Sequence, residues 1–228
     1  LRKEGHGRMM IKPVREERAL VLLGNFNPII FHPAWFASEG LIRKSEAEQA
    51  KSELIHPDVA QIDFGGYKLL VTRERFQLTT EQSPYFRVIA DLTQGIFQLL
   101  QHTPLHAAGY NATEDYRMDN EGHWQALAHL MAPTQQVWAD LFDEPELRML
   151  RIQSATPLGH TQVQVSPLEP KPPLTFRIAF TDHFDAPTDS VGRGAKEMLS
   201  VFMDNRERSE EKCQQVFSKL VKLATGKP

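Results

Sequence analysis

The chain contains one cysteine in 228 residues. No internal disulfide can form, and a structural zinc site built on several thiolates is excluded. Apolar runs near the ~20 residues needed for a membrane-spanning helix are missing, and no secretory signal pattern opens the sequence, so a cytoplasmic protein is expected. Positive charge is not in excess: 26 Lys and Arg stand against 29 Asp and Glu, a net charge of −3. That removes the broad electrostatic reason to expect a nucleic-acid partner. Also missing are the GxSxG elbow, the P-loop, the GxGxxG dinucleotide fingerprint and the HExxH metal pair. No cofactor or metal is expected from motifs.

Apolar residues make up 41% of the chain and charged residues 24%, as in a globular fold. Two stretches share one pattern, an apolar strand followed by a turn and a helix. In the stretch 174–202, Phe176, Ile178, Phe180 and Phe184 fall on alternating positions and form one strand face, interrupted by Asp182. Arg177, Thr181, His183 and Asp185 take the other face. Ala195, Met198, Leu199 and Phe202 then recur at helical spacing. In the stretch 67–100, Ser83-Pro84 reads as a capped helix start, and Val88, Ile89, Leu92, Ile96 and Leu99 follow on one face. Gly95 inside that helix implies close packing against another element, because glycine there costs about 1 kcal/mol relative to alanine.

Between these anchors the chain alternates short elements. Residues 19–23 read as a strand, 33–36 as a short helix that Gly40 stops, and 45–53 as a surface helix closed by Pro57. Residues 60–64 and 67–72 read as a hairpin turning at Gly65-Gly66, and 76–80 as a further strand. The charged stretch 115–122 reads as a loop and as the boundary between halves. Two short helices, 123–131 and 134–142, precede strands at 147–152 and 162–165. Four prolines in the seven residues 167–173 require an extended loop or sheet edge. A last helix is expected over 210–223, capped by Ser209, with Cys213 in its packed stripe.

The expected fold class is α+β, a mainly antiparallel sheet packed by helices. Residues 1–10 are read as a leader outside the fold, 11–118 as a first α+β half and 119–228 as a second, the halves sharing one core. Their common order of elements raises an internal duplication of strand–helix units; a duplicated chain would have a groove between its copies.

The sharpest chemical candidate is Asp182-His183-Phe184-Asp185. Two carboxylates beside an imidazole can orient a general base or hold a metal. Strand alternation, however, sets Asp182 on the face opposite His183 and Asp185, so the three converge only through a bulge. Gly192-Arg193-Gly194 before a helix can offer free N–H groups and a guanidinium to an anion, or act as a plain loop hinge. Trp35 and Phe36, in a segment dense in aromatics, either anchor a partner or fill the core of the first half. With no complete catalytic set, the leading expectation is a non-catalytic binding or accessory protein acting through protein–protein contacts or as a homo-oligomer. The alternatives are a hydrolase or metal-dependent enzyme using Asp182, His183 and Asp185 with His32 or His56, and a small-ligand sensor with its pocket between the halves.

Overall fold

The computed structural model describes residues 13–118, 122–168, 175–186 and 194–224. The expected leader, most of the proline-rich stretch, Gly192 and Arg193 lie outside them. In chain order the elements are β1 (Pro13–Gly24), α1 (Pro33–Ser38), α2 (Lys44–Gln49), β2 (Lys51–His56), β3 (Val59–Asp63), β4 (Lys68–Thr72), β5 (Arg75–Thr80), α3 (Phe86–Leu99) and β6 (Leu105–Arg117). Then follow α4 (Gly122–Met131), α5 (Thr134–Trp138), β7 (Leu150–Thr156), β8 (Gly159–Leu168), β9 (Thr175–Asp185) and α6 (Ala195–Ala224). The nine strands form one sheet in the order β2-β3-β4-β5-β1-β6-β9-β8-β7. Every neighbouring pair is antiparallel. The α+β class holds, with the sheet dominating. Among the described residues no helix is long and apolar enough to cross a membrane.

Strand alternation divides the sheet into two unlike faces. Register puts Leu20, Leu22, Phe76, Leu78, Tyr110, Phe180 and Phe184 on one face, and all are buried. Helices α3 and α6 pack on this face, and aromatic contacts extend the core: Phe97 meets Phe76 edge-on at 5.0 Å, and Phe202 meets Phe184 at 5.9 Å. The opposite face is lined by small and polar side chains. One register row across it reads Gln61, Leu70, Gln77, Val21, Gly109, His183 and His160. Its charges pair across strands. The Arg177 guanidinium donates twice to Asp115, at 2.7 and 2.8 Å, and Arg15 bonds Glu81 at 2.7 Å.

Several local expectations are met for the reasons given. The His32 ring caps α1 by accepting the Trp35 N–H at 3.3 Å, and Gly65 makes the β3–β4 turn with φ +83°. A Cβ placed on Gly95 would sit 2.9 Å from a Leu41 methyl, so this helix does pack closely there.

Four expectations are corrected. The surface helix at 45–53 ends at Gln49, and the chain goes straight into edge strand β2, where Leu54 and Ile55 provide β propensity. Ser83 opens a 3-10 turn and makes no cap, because α3 begins three residues later at Phe86. The charged stretch from Asp115 is strand through Arg117; Asp115 is buried because Arg177 neutralises it. The two helices expected around 195–202 and 210–223 are one 30-residue helix, α6. It contains no proline or glycine, and its buried stripe runs from Phe202 through Ser209 to Cys213 and Phe217. Ser209 is therefore a core position of a continuous helix, not a cap.

Candidate functional site

Strand β9 separates the residues of the Asp-His-x-Asp cluster. Asp182 points to the helix face, pairs with Tyr110 and Thr161 in register, and is buried. Its carboxylate accepts the Thr161 hydroxyl and the Ser209 hydroxyl, each at 2.7 Å, and Lys212 donates to the Thr161 oxygen at 2.7 Å. This chain of hydrogen bonds ties α6 to β8 and β9. His183 lies on the opposite face. It stacks on His160 of β8 with centroids 4.7 Å apart, and its Nε2 is 3.2 Å from Asp185. His183 and Asp185 therefore meet, whereas Asp182 is held away from both by the thickness of the sheet. No bulge interrupts the β8–β9 or β6–β9 register to bring it round. His32 and His56 each serve a local turn, accepting the backbone N–H of Trp35 and of Asp58 at 3.3 Å. Among the described residues no group of three or more His, Cys, Asp or Glu is placed to hold a metal ion.

The aromatic pair takes the core position. Phe36 is fully buried, and half-buried Trp35 meets it edge-on at 5.0 Å and Phe31 at 5.8 Å. Arg193 lies outside the described residues; its neighbour Gly194 adopts φ +119° beside the Gln101 carbonyl.

Exposed apolar surface collects elsewhere. Leu130, Val137, Trp138, Leu141, Phe142, Met149 and Ile152 account for seven of the fifteen exposed large apolar side chains among the described residues, within a tenth of the chain. Such density departs from the scatter of single apolar residues that any surface shows. The helical spacing of Val137, Trp138 and Leu141 is legible in sequence, and a packed face is the ordinary inference from it. In the structure that face is open. The segment leads into β7, a sheet edge whose register with β8 is unbroken and whose charged residue is Arg151. The other edge, β2, carries Lys51 and Glu53 and a register shift between Ser52 and Leu54. Charge and bulges are the usual protection of an edge. β2 has both, and β7 has little of either.

Sequence reading passed over one further cluster. Arg18 on β1 is buried on the helix face and ion-paired with Glu114 of β6. The Tyr116 hydroxyl donates to the same carboxylate. Phe86 and Phe217 bracket the guanidinium, with centroids 4.9 and 5.8 Å from its carbon. Burial works against this charge, and the groups around it, Tyr110 and Glu114 foremost, hold its pKa above the usual arginine value. Burial, followed by Glu114, pushes the Tyr116 phenol up as well. Only the pairing of β1 with β6 brings these residues together, so spacing along the chain gave no signal. The sequence matches no protein-family model and no curated protein.

Proposed function

We propose that the chain is a non-catalytic binding or accessory protein that works through protein–protein contacts, with the segment 130–152 and the edge of β7 as its contact surface. The supporting observation is the run of exposed apolar side chains that passes directly into an unprotected strand edge. A partner strand added to β7 would satisfy its free N–H and C=O groups, while apolar side chains beside it supply burial. A second copy of the chain is the simplest such partner, because two antiparallel edges can pair across a twofold axis. One cysteine in the sequence, Cys213, held as a free thiol, favours action in a reducing compartment such as the cytoplasm.

The strand order supports reading the halves as copies of one unit. With the division moved from residue 118 to just before β6, the first unit runs β1, β5, β4, β3, β2 outward from the central β1–β6 pair and the second runs β6, β9, β8, β7. Each first strand pairs with the last strand of its own half, and that last strand leads into a long helix, α3 or α6. The second copy has one strand fewer at its outer edge, which is where β7 stands open.

Sedimentation of the wild type against Trp138→Glu/Leu141→Glu tests the contact surface. The expected result is self-association that the double variant loses while keeping the wild-type circular dichroism. If the wild type is monomeric, a partner recovered at low salt must be lost by the variant. A monomer that also binds the same proteins with and without the substitutions removes the proposal.

A further inference from the structure

Counting outward from the central β1–β6 pair, β7 holds the place on its side that β3 holds on the other. β3 carries β2 on its outer side, antiparallel, whereas among the described residues nothing pairs with the outer side of β7. The five central residues of β7, 151–155, are all exposed. This place in the sheet takes an antiparallel strand in one unit and stands bare in the other.

The side chains of β7 select an occupant and a register. Ile152 shares the helix face with Val163 and Phe180. Helix α6 packs over β6 and β9, and two strands further out Ile152 is 60% exposed. Arg151, the one charged residue of the strand, turns inward and donates to Gln164 of β8 at 2.9 Å. When a strand pairs with its own copy across a twofold axis, one residue falls opposite itself. Arg151 in that position would face a second arginine, and like charges directly opposite are destabilising. Gln153 in that position would set Ile152 against Ser154 of the second copy. Ile152 in that position sets isoleucine on isoleucine and Arg151 against Gln153 of the second copy, with no like charges opposed. The chain just before the strand adds Val137, Trp138, Leu141, Phe142 and Met149, each 45–70% exposed. With Ile152 these offer on the order of 600 Å² of apolar side-chain surface per copy, against the ~800 Å² per partner of a standard interface. The backbone and polar side chains of β7 supply the rest.

We propose, resting on the contact surface assigned above, that the chain is a homodimer in which β7 pairs antiparallel with β7 of a second copy and Ile152 lies on the twofold axis. The two sheets then run on into each other, and neither copy keeps a bare β7 edge.

Disulfide trapping in the full chain tests the register. Ile152→Cys sets two thiols opposite each other at the axis, within the roughly 4.4–6.8 Å between Cα atoms that a disulfide spans. Ser154→Cys sets them four residues apart along the strands, about 13 Å. Mild oxidation should give a covalent dimer of Ile152→Cys, and none of Ser154→Cys or of the wild type, whose Cys213 is buried. Charge tests the same axis independently. Ile152→Lys and Ile152→Glu should each self-associate roughly tenfold more weakly than the wild type in sedimentation, because apolar burial is lost and like charges meet. Mixing the two variants should restore association, since the substituted residues then meet as opposite charges. A covalent dimer of Ser154→Cys in place of Ile152→Cys, or a mixture no tighter than its components, would overturn the proposal. A dimer that survives every change at Ile152 yet is lost in Trp138→Glu/Leu141→Glu would overturn it too, and leave the contact surface standing. A wild type that is monomeric at every concentration would overturn the dimer, and the contact surface would then be judged by its other partner alone.

Discussion

Arg18 and Glu114 lie 96 residues apart in sequence and form a buried ion pair on adjacent strands, β1 and β6, at the junction of the two halves. Phe86 of α3 and Phe217 of α6 cover the guanidinium, so this one pair touches both strands and both long helices of the core. Removing one partner strands the other charge in a desolvated site, a loss of about 3–5 kcal/mol in comparable pairs. Arg18→Met should lower the unfolding free energy measured by urea titration by that order. Arg18→Met combined with Glu114→Gln should recover part of the loss, since no full charge then stays buried. A double variant no more stable than Arg18→Met would show that packing, not charge, dominates at this site.

Asp182 and His183 should separate cleanly on substitution. Asp182→Ala leaves the buried Thr161 hydroxyl without its acceptor, a loss of about 1–3 kcal/mol, and leaves the Ser209 hydroxyl only the Asn205 carbonyl at 3.1 Å. His183→Ala removes a ring from the polar face and should cost below about 1 kcal/mol. Equilibrium unfolding of the two variants measures the difference. Equal losses would contradict the placement of these neighbours on opposite faces.

Alkaline pH should act through Cys213. Burial pushes its thiol up to about 12 in the folded chain, so the native state keeps a proton that the unfolded chain releases near pH 9. The native state then binds more protons than the unfolded one between these values. Stability from this group is complete below about pH 9 and falls as pH rises toward 12. Cys213→Ala should show a shallower decline across that window in denaturation midpoints. At pH 8 the native thiol, only 1% exposed, should resist iodoacetamide until the chain unfolds. Rapid labelling under native conditions would contradict its burial.

Much of the fold was legible because periodicity is local. The alternation of Phe176, Ile178, Phe180 and Phe184, the β3–β4 turn at Gly65, the α1 start at Pro33 and the close packing at Gly95 each follow from residues within a few positions of one another. The same alternation already placed Asp182 opposite His183. Errors arose where a polar residue owes its position to something distant. Ser209 reads as a cap until Asp182 appears beneath it, and Asp115 reads as loop until Arg177 reaches it across the strand pair. Chain sequence determined the class, the strand faces and the exclusion of an internal disulfide or a zinc site built on several of its own thiolates. Tertiary structure decided the strand order, the burial of Arg18, and the openness of Val137, Trp138 and Leu141. Those depend on which faces meet, and a helix or strand of given pattern offers the same face whether or not another element comes to cover it.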